Sequence, residues 1–428
     1  MRRVAIAMLS TAVLVPAAWA QTPVSPPPPE TPVVTMQFDA VIRQALEKNP
    51  TAARAATNIT RAETLLQQSR ASTLPFVTSS VVNNTLDSER GFTGGVIQPR
   101  NQTTFGVSVG MPVLAASRWA AVNQARDQVA VAEAGVAEVR QQVAVAAAQA
   151  YLAVIAARRQ VEVGERALES SRTHLDYAQK RFEGGAGSRL NQLRTASIVS
   201  TEEARVESAR LGLRAAQEAL GVIVVADGPV NAGAEPVFDQ TGAFDENAWR
   251  QARPDLVTQA AIRRAAERVV SDSWKDWVPD VTTSFDPSYV TPSGLFAPSG
   301  TWRISFVTNY SIFDGGQRNL AKRQRSITLE QANLTLTELE IQARSEVRLA
   351  QDSVRFRERA LDAARRAADQ ALEVVKITTT AFEVGATTNL EVIDAQRVAR
   401  DAETAAAIAE DALRRARLDL LVALGRFK

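Results

Sequence analysis

Cysteine is absent from the chain, and histidine occurs once, as His174. Disulfide frameworks, zinc–thiolate sites and thiol nucleophiles are thereby excluded. So are multi-histidine metal centres, and a histidine-based triad has a single position to form around. No nucleophile–base set or cofactor loop stands out, so an enzyme is the least supported class and neither cofactor nor metal is expected. Aromatic residues are scarce, at 6%. Long apolar runs are scarce too. The stretch "VAVAAAQAYLAVIAA" (143–157) is too short to span a bilayer, holds Gln149 and is flanked by Arg140 and by Arg158 and Arg159. Its small residues point instead to close helix–helix packing. Charge of one sign is also missing. Of 49 basic residues, Arg2 and Arg3 lie in a leader-like segment, and the remainder equals the 47 acidic ones. Nothing in that balance argues for a nucleic-acid partner.

The N-terminus carries an address. Arg2 and Arg3, the apolar "VAIAMLSTAVLVP" and the small-x-small triplet Ala18, Trp19, Ala20 predict a secretory signal over residues 1–20. A retained anchor is the other reading, although the apolar run is short for one. The proline-rich "QTPVSPPPPETPVV" predicts a disordered tail over 21–35.

The rest of the chain is written twice. Phe182, Glu183, Gly185 and Leu190 of "RFEGGAGSRLNQLRTA" return without a gap as Phe382, Glu383, Gly385 and Leu390 of "AFEVGATTNLEVIDAQ". Pro50 answers to Pro254 and Pro75 to Pro279, both at an offset of 204; Val113 and Leu114 answer to Ile312 and Phe313 at 199. Leu220 and Gly221 pair in the same way with Leu424 and Gly425. The landmarks keep their order, which predicts two structural repeats, 36–223 and 245–428, joined by a connector at 224–244.

Each repeat changes period. Residues of about 36–73 carry helix formers, and past Pro75 the period becomes two. Phe105, Val107, Val109, Met111 and Val113 share one face, and Thr104, Gly106, Ser108 and Gly110 the other. Trp302, Ile304, Phe306, Tyr310 and Ile312 repeat the apolar face. Two β-hairpins follow, at about 76–114 and 280–313, with strands of the length and alternation of a membrane β-strand. One such hairpin alone fits a soluble sandwich edge equally well. Four strands cannot close a barrel, and an open edge has no hydrogen-bond partner in lipid. Sharing between chains is therefore expected, and three chains supply twelve strands.

Proline is missing from about Ala115 to Glu183 and from about Gln317 to Val384. Uninterrupted helices there span roughly 100 Å each. Helices of that length need a coiled-coil setting. The shorter helices, about 36–73 and 187–222, come to roughly 55 Å each, so two end to end match one long rod. The fold class is mainly α: a long α-helical barrel with four β-strands per chain, and an internal two-fold repeat.

In this order, the "NP…LP" and "RPD…VP" openings, "SIFDGG" (311–316), the paired "FEGGA" and "FEVGA" turns and "LEVIDAQ" (390–396) resemble the TolC-like outer-membrane efflux proteins. The resemblance covers about residues 36–427. It implies a homotrimer in the outer membrane of a Gram-negative bacterium, with a twelve-stranded barrel above a periplasmic helical tunnel. The implied partners are a periplasmic adaptor (membrane fusion) protein, an inner-membrane pump of the resistance-nodulation-division or ABC type, and outer-membrane lipid. The implied function is efflux of small molecules such as drugs and toxic compounds. Type I, ABC-driven protein secretion is the alternative, and a poreless periplasmic coiled coil leaves the two hairpins unexplained. The first repeat departs from the pattern at "VLAASRW" (113–119), where the second has "IFDGGQR".

Expected site residues follow. Gly184, Gly185, Ala186, Gly187 and Ser188, with Val384, Gly385, Ala386, Thr387 and Thr388, are helix-reversal turns that the resemblance makes adaptor-docking turns. "GGAGS" is no phosphate loop, since it follows a helix and lacks the Gly-Lys-Ser/Thr ending. Glu391 and Asp394, three apart, share a helical face. From spacing alone they read as a solvated acidic face, whereas the resemblance makes them a constriction gate. Asn191 and Arg194 hold the equivalent positions of the first repeat, with Arg194 a possible partner for an acidic neighbour. Phe105, Val107, Val109, Met111, Trp302, Ile304, Phe306 and Tyr310 are expected to face lipid, and His174 to lie in a tunnel wall.

Overall fold

The computed structural model describes residues 32–238 and 245–427. The signal segment 1–20, residues 21–31 of the expected tail and residues 239–244 of the connector fall outside them; the end of that tail is ordered rather than disordered, because Val34 and Thr35 pair with Val230 and Asn231 in a short parallel ladder. In chain order the elements are β1 (Val34–Met36), α1 (Phe38–Lys48), α2 (Pro50–Ala71), β2 (Phe76–Thr85), β3 (Arg90–Phe92), β4 (Gly95–Gln98), β5 (Asn101–Leu114), α3 (Ala116–Glu183) and α4 (Arg189–Val224). Then follow β6 (Val230–Ala232), α5 (Glu246–Ala252), α6 (Pro254–Ser271), a 3-10 turn (Asp272–Trp277), β7 (Asp280–Thr291), β8 (Gly300–Asn309), α7 (Gln317–Glu383) and α8 (Asn389–Ala423).

The long helices run for 68 and 67 residues, as the missing prolines require. The stretch 36–73 is not one rod. Pro50 has no N–H to continue a helix and disfavours helical geometry in the residue before it. Asn49 is accordingly extended (φ −66°, ψ 126°), and its side chain accepts the Thr51 N–H at 2.9 Å, starting α2 afresh. Pro254 divides α5 from α6 in the same way, through an extended Arg253.

The shorter helices meet end to end along the long ones. Where α4 stops and α2 begins, Gln44 and Asn49 donate to the last carbonyls of α4, at Val224 and Ile223, both at 3.0 Å. Where α8 stops and α6 begins, Trp249 Nε1 donates to the Ala423 carbonyl at 2.9 Å. Helix ends leave such carbonyls orphaned, and these side chains satisfy them. The pairing of Gly221 with Gly425 does not hold in the backbone. Gly425 (φ 67°) follows α8 as Val225 (φ 54°) follows α4, whereas Gly221 lies inside α4.

The main core sits beside this first junction. Ala147, Ala148, Tyr151, Leu152, Val154 and Ile155 of α3 are fully buried against Val41 and Ala45 of α1 and the short parallel pair β1–β6. The stretch 143–157 is thus packed core. Among the described residues no helix is long and apolar enough to cross a membrane. A second core gathers Trp249, Leu256, Val347, Val354 and Leu420.

Four strands form one antiparallel sheet in the order β2-β5-β7-β8. In this register Val81 stands opposite Phe105 and Phe105 opposite Tyr289; Val109 stands opposite Phe285 and Phe285 opposite Ile304. Opposed residues share a face, so one face is apolar across all four strands. Phe105, Val107, Met111, Trp302, Ile304 and Phe306 on it are exposed, and Val109 is half-buried. Ser80, Ser108, Ser284, Asp286 and Arg303 lie on the other. Tyr310 is a correction: β8 ends at Asn309, and Tyr310 lies beyond it, its ring 5.8 Å from the Arg318 guanidinium. The loop after β2 holds a small hairpin of its own, β3–β4.

The two strand-to-helix corners differ, as their sequences suggest. Asp314 accepts from the Gly316 and Arg318 N–H groups at 2.9 and 3.0 Å and from Arg318 Nε at 2.7 Å. Those donors, Arg318 first, hold its pKa at about 2. Ala115, at the corresponding start of α3, offers no side-chain cap.

Candidate functional site

Both reversals are built by one hydrogen-bond recipe. Ala186 N–H reaches back to the Arg181 carbonyl at 2.9 Å, and Gly185 N–H to Phe182 at 3.0 Å. In the second reversal Ala386 N–H reaches Ala381 at 2.8 Å, and Gly385 N–H reaches Phe382 at 3.1 Å. This closure needs a left-handed residue, and Gly185 (φ 76°) and Gly385 (φ 81°) supply it without the steric cost a Cβ would bring. The next helix is then capped. Ser188 Oγ accepts the Asn191 N–H at 3.3 Å, and Thr388 Oγ1 the Glu391 N–H at 3.4 Å. The expected turn residues lie in these reversals, most of them exposed.

The surroundings of the two turns diverge. Phe382 is buried in a cage made by the end of α3. His174 and Tyr177 stand 5.5 and 5.6 Å from its ring, and the Arg181 guanidinium lies 5.2 Å over it. Tyr177 Oη donates to the Glu383 carbonyl at 3.3 Å, and Arg181 Nη1 to the Phe382 carbonyl at 3.4 Å. His174 Nε2 meets Asn389 Oδ1 at 2.7 Å. Burial pushes the His174 pKa down, against a smaller upward pull from Asn389. The imidazole is therefore a neutral strut between α3 and the start of α8. Phe182 has no such cage; it is half-buried, with Arg189 5.9 Å over its ring.

Glu391 and Asp394 are both exposed, while Val392, Ala395 and Ala399 of α8 are buried. Glu391 is hydrogen-bonded by the Thr387 hydroxyl. Asp394 forms an ion pair with Arg397 at 2.7 Å, a solvated contact of small energetic weight. Arg194 is exposed, and among the described residues it joins no ion pair within the chain.

A second buried contact across the two helical pairs, between α4 and α8, carries no signature in the sequence pattern. Glu202 of α4, 3% exposed, receives Arg205 at 2.9 Å and also Arg400 of α8. These residues border a cavity of about 390 Å³ between α3, α4, α7 and α8. The Arg205 spacing is visible in sequence, but Arg400 is 198 positions away.

The outer membrane efflux protein family matches residues 41–224 and 247–426. The chain belongs to that family. Outer membrane protein OprJ of Pseudomonas aeruginosa is 26% identical over 267 residues, which cover 58% of this chain. The matched region spans about half, 54%, of that relative's length. The Campylobacter jejuni CmeC outer membrane channel shares the fold with a TM-score of 0.77 at 15% identity, covering 91% of this chain and 85% of its own. VceC of Vibrio cholerae does so at 0.75 and 18%, covering 91% and 96%. This outer membrane efflux protein is mostly α-helical with a few antiparallel strands, as these channels are. Among the described residues no group of three or more His, Cys, Asp or Glu is placed to hold a metal ion.

Proposed function

We propose that three copies of this chain form an outer-membrane conduit that takes small molecules from an inner-membrane pump through a periplasmic adaptor. The observation that carries this reading is the sheet. It has four strands, free edges at β2 and β8 among the described residues, and one apolar face turned to solvent. Such a sheet is stable in lipid only when closed, and three copies joined β8 to β2 give twelve strands. Trp274, Trp277, Tyr310 and Phe313 are exposed where the sheet passes into helix, which suits an interfacial aromatic belt.

In the same reading residues 1–20 are a signal peptide, and 36–223 and 245–428 are repeats of one unit. Phe105, Val107, Val109, Met111, Trp302, Ile304 and Phe306 face lipid. The reversals at 184–188 and 384–388 form the periplasmic tip and dock the adaptor. Glu391 and Asp394 of three chains converge as a ring of six carboxylates that attracts cations.

The absence of cysteine makes Ser188→Cys a clean probe of the first reversal. Cross-linking in living cells followed by mass spectrometry is expected to capture an adaptor. The adaptor of a proton-driven drug pump supports small-molecule efflux; that of an ABC exporter replaces it with protein secretion. No periplasmic partner, from abundant trimeric protein, would overturn the docking role of the turn.

A further inference from the structure

Ionised side chains are rare in the sheet. β2 and β5 contain none, and β7 and β8 contain three: Asp280 at the start of β7, then Asp286 and Arg303 within the strands. Asp286 and Arg303 stand directly opposite each other in the β7–β8 register. Both lie on the polar face, with Ser80, Ser108, Ser284 and Ser305.

Their environments are unequal. Asp286 Oδ1 accepts from Ser108 on β5 at 2.5 Å, and Oδ2 accepts from Ser284 at 2.9 Å. Arg303 Nη2 lies 3.7 Å from Oδ2. Both carboxylate oxygens are thus tied into the sheet, and the Asp286 side chain is 25% exposed. The Arg303 side chain is 76% exposed, so its guanidinium reaches away from the wall. A solute passing that face meets the cation first and the anion behind it.

This inference rests on the sheet being one third of a shared barrel. An arginine facing lipid near the middle of a bilayer is strongly destabilising, so the face carrying Arg303 turns to the lumen. We propose that three Arg303 guanidiniums, each anchored by Asp286, form a cationic ring inside the barrel that favours anionic solutes. Its sign is opposite to that of Glu391 and Asp394. Rings of charged side chains set pore preference by concentrating the counter-ion, so the barrel and the far end of the helices select in opposite directions. Anionic molecules are the cargo class this ring assists.

The test is the reversal potential of the purified trimer in a planar bilayer under a potassium chloride gradient. It is measured in the Glu391→Ala/Asp394→Ala background, so that the acidic residues do not mask the barrel. Arg303→Gln is expected to lower the chloride-to-potassium permeability ratio a few-fold and Arg303→Glu to lower it further. Arg303→Lys keeps the ratio, and Asp286→Asn raises it. Where Arg303→Glu does not assemble, Arg303→Gln against Arg303→Lys carries the comparison. Identical ratios for Arg303→Gln, Arg303→Lys and the parent would overturn the cationic ring while leaving the barrel intact. A parent protein that forms no channel would instead overturn the shared barrel, and the ring with it.

Discussion

The two helix reversals share a backbone and differ in almost everything around it. Glycine at φ 76° and 81°, the same pair of back-reaching N–H bonds and a hydroxyl cap recur at 184–188 and 384–388. Yet the second turn is clasped by His174, Tyr177 and Arg181 of α3, and only its outgoing helix carries the exposed acidic pair. Turn geometry therefore needs a few residue types at fixed offsets. What a turn does depends on side chains free to diverge once that geometry is secured.

The sharpest separation between the turns is expected from their phenylalanines. Phe382→Ala empties a buried cage and should cost about 3–5 kcal/mol. Phe182→Ala removes a half-buried ring and should cost about 1 kcal/mol or less. Denaturant midpoints of the two variants measure the gap, and equal losses would erase the contrast. Next come the glycines. A Cβ at Gly185 or Gly385 meets no neighbour within 4 Å, so only the left-handed backbone resists it. Alanine at either position should cost about 1–2 kcal/mol, and the same at both. Unequal costs would show that the surroundings reach the backbone after all.

The smallest effect is acid-dependent. Burial holds the His174 pKa below 6.5 in the folded protein, so the unfolded chain binds the proton more readily. The stability contributed by neutral His174 is complete above pH 6.5 and is lost as pH falls towards the depressed value. Hydrogen exchange of residues 382–392, corrected for the intrinsic rate at each pH, should accelerate over that window, while that of 182–192 stays unchanged. His174→Gln should flatten the response. Acceleration of both segments together would place its origin elsewhere.

Much of the fold was legible because its signals are local. The two proline-free stretches set the long helices to within a residue or two, and the period-two alternation located all four strands of the sheet. Other features were not legible for reasons equally physical. Tyr310 keeps the alternation going, but strand pairing stops at Asn309, and side-chain pattern carries no record of where backbone partners run out. Pro50 and Pro254 were visible as landmarks, yet the extended residue before each cuts a helix that composition alone suggests is continuous. In the candidate site the glycines of the two reversals were readable. Arg400 on Glu202 and Asn389 on His174 were not, because periodicity along one helix does not say which residue of another helix faces it. Arg397, three residues after Asp394, was within reach of spacing rules.

In the proposed conduit the gate lies on the acidic helix after the second reversal rather than on its neutral-to-basic counterpart. Single-channel recording of the trimer in a planar bilayer tests it directly, with a trivalent cation added on the side of the reversals. Block of the wild-type channel should be strongly weakened in Glu391→Ala/Asp394→Ala and unchanged in Asn191→Ala/Arg194→Ala. Undiminished block in the first double variant would contradict a gate at Glu391 and Asp394.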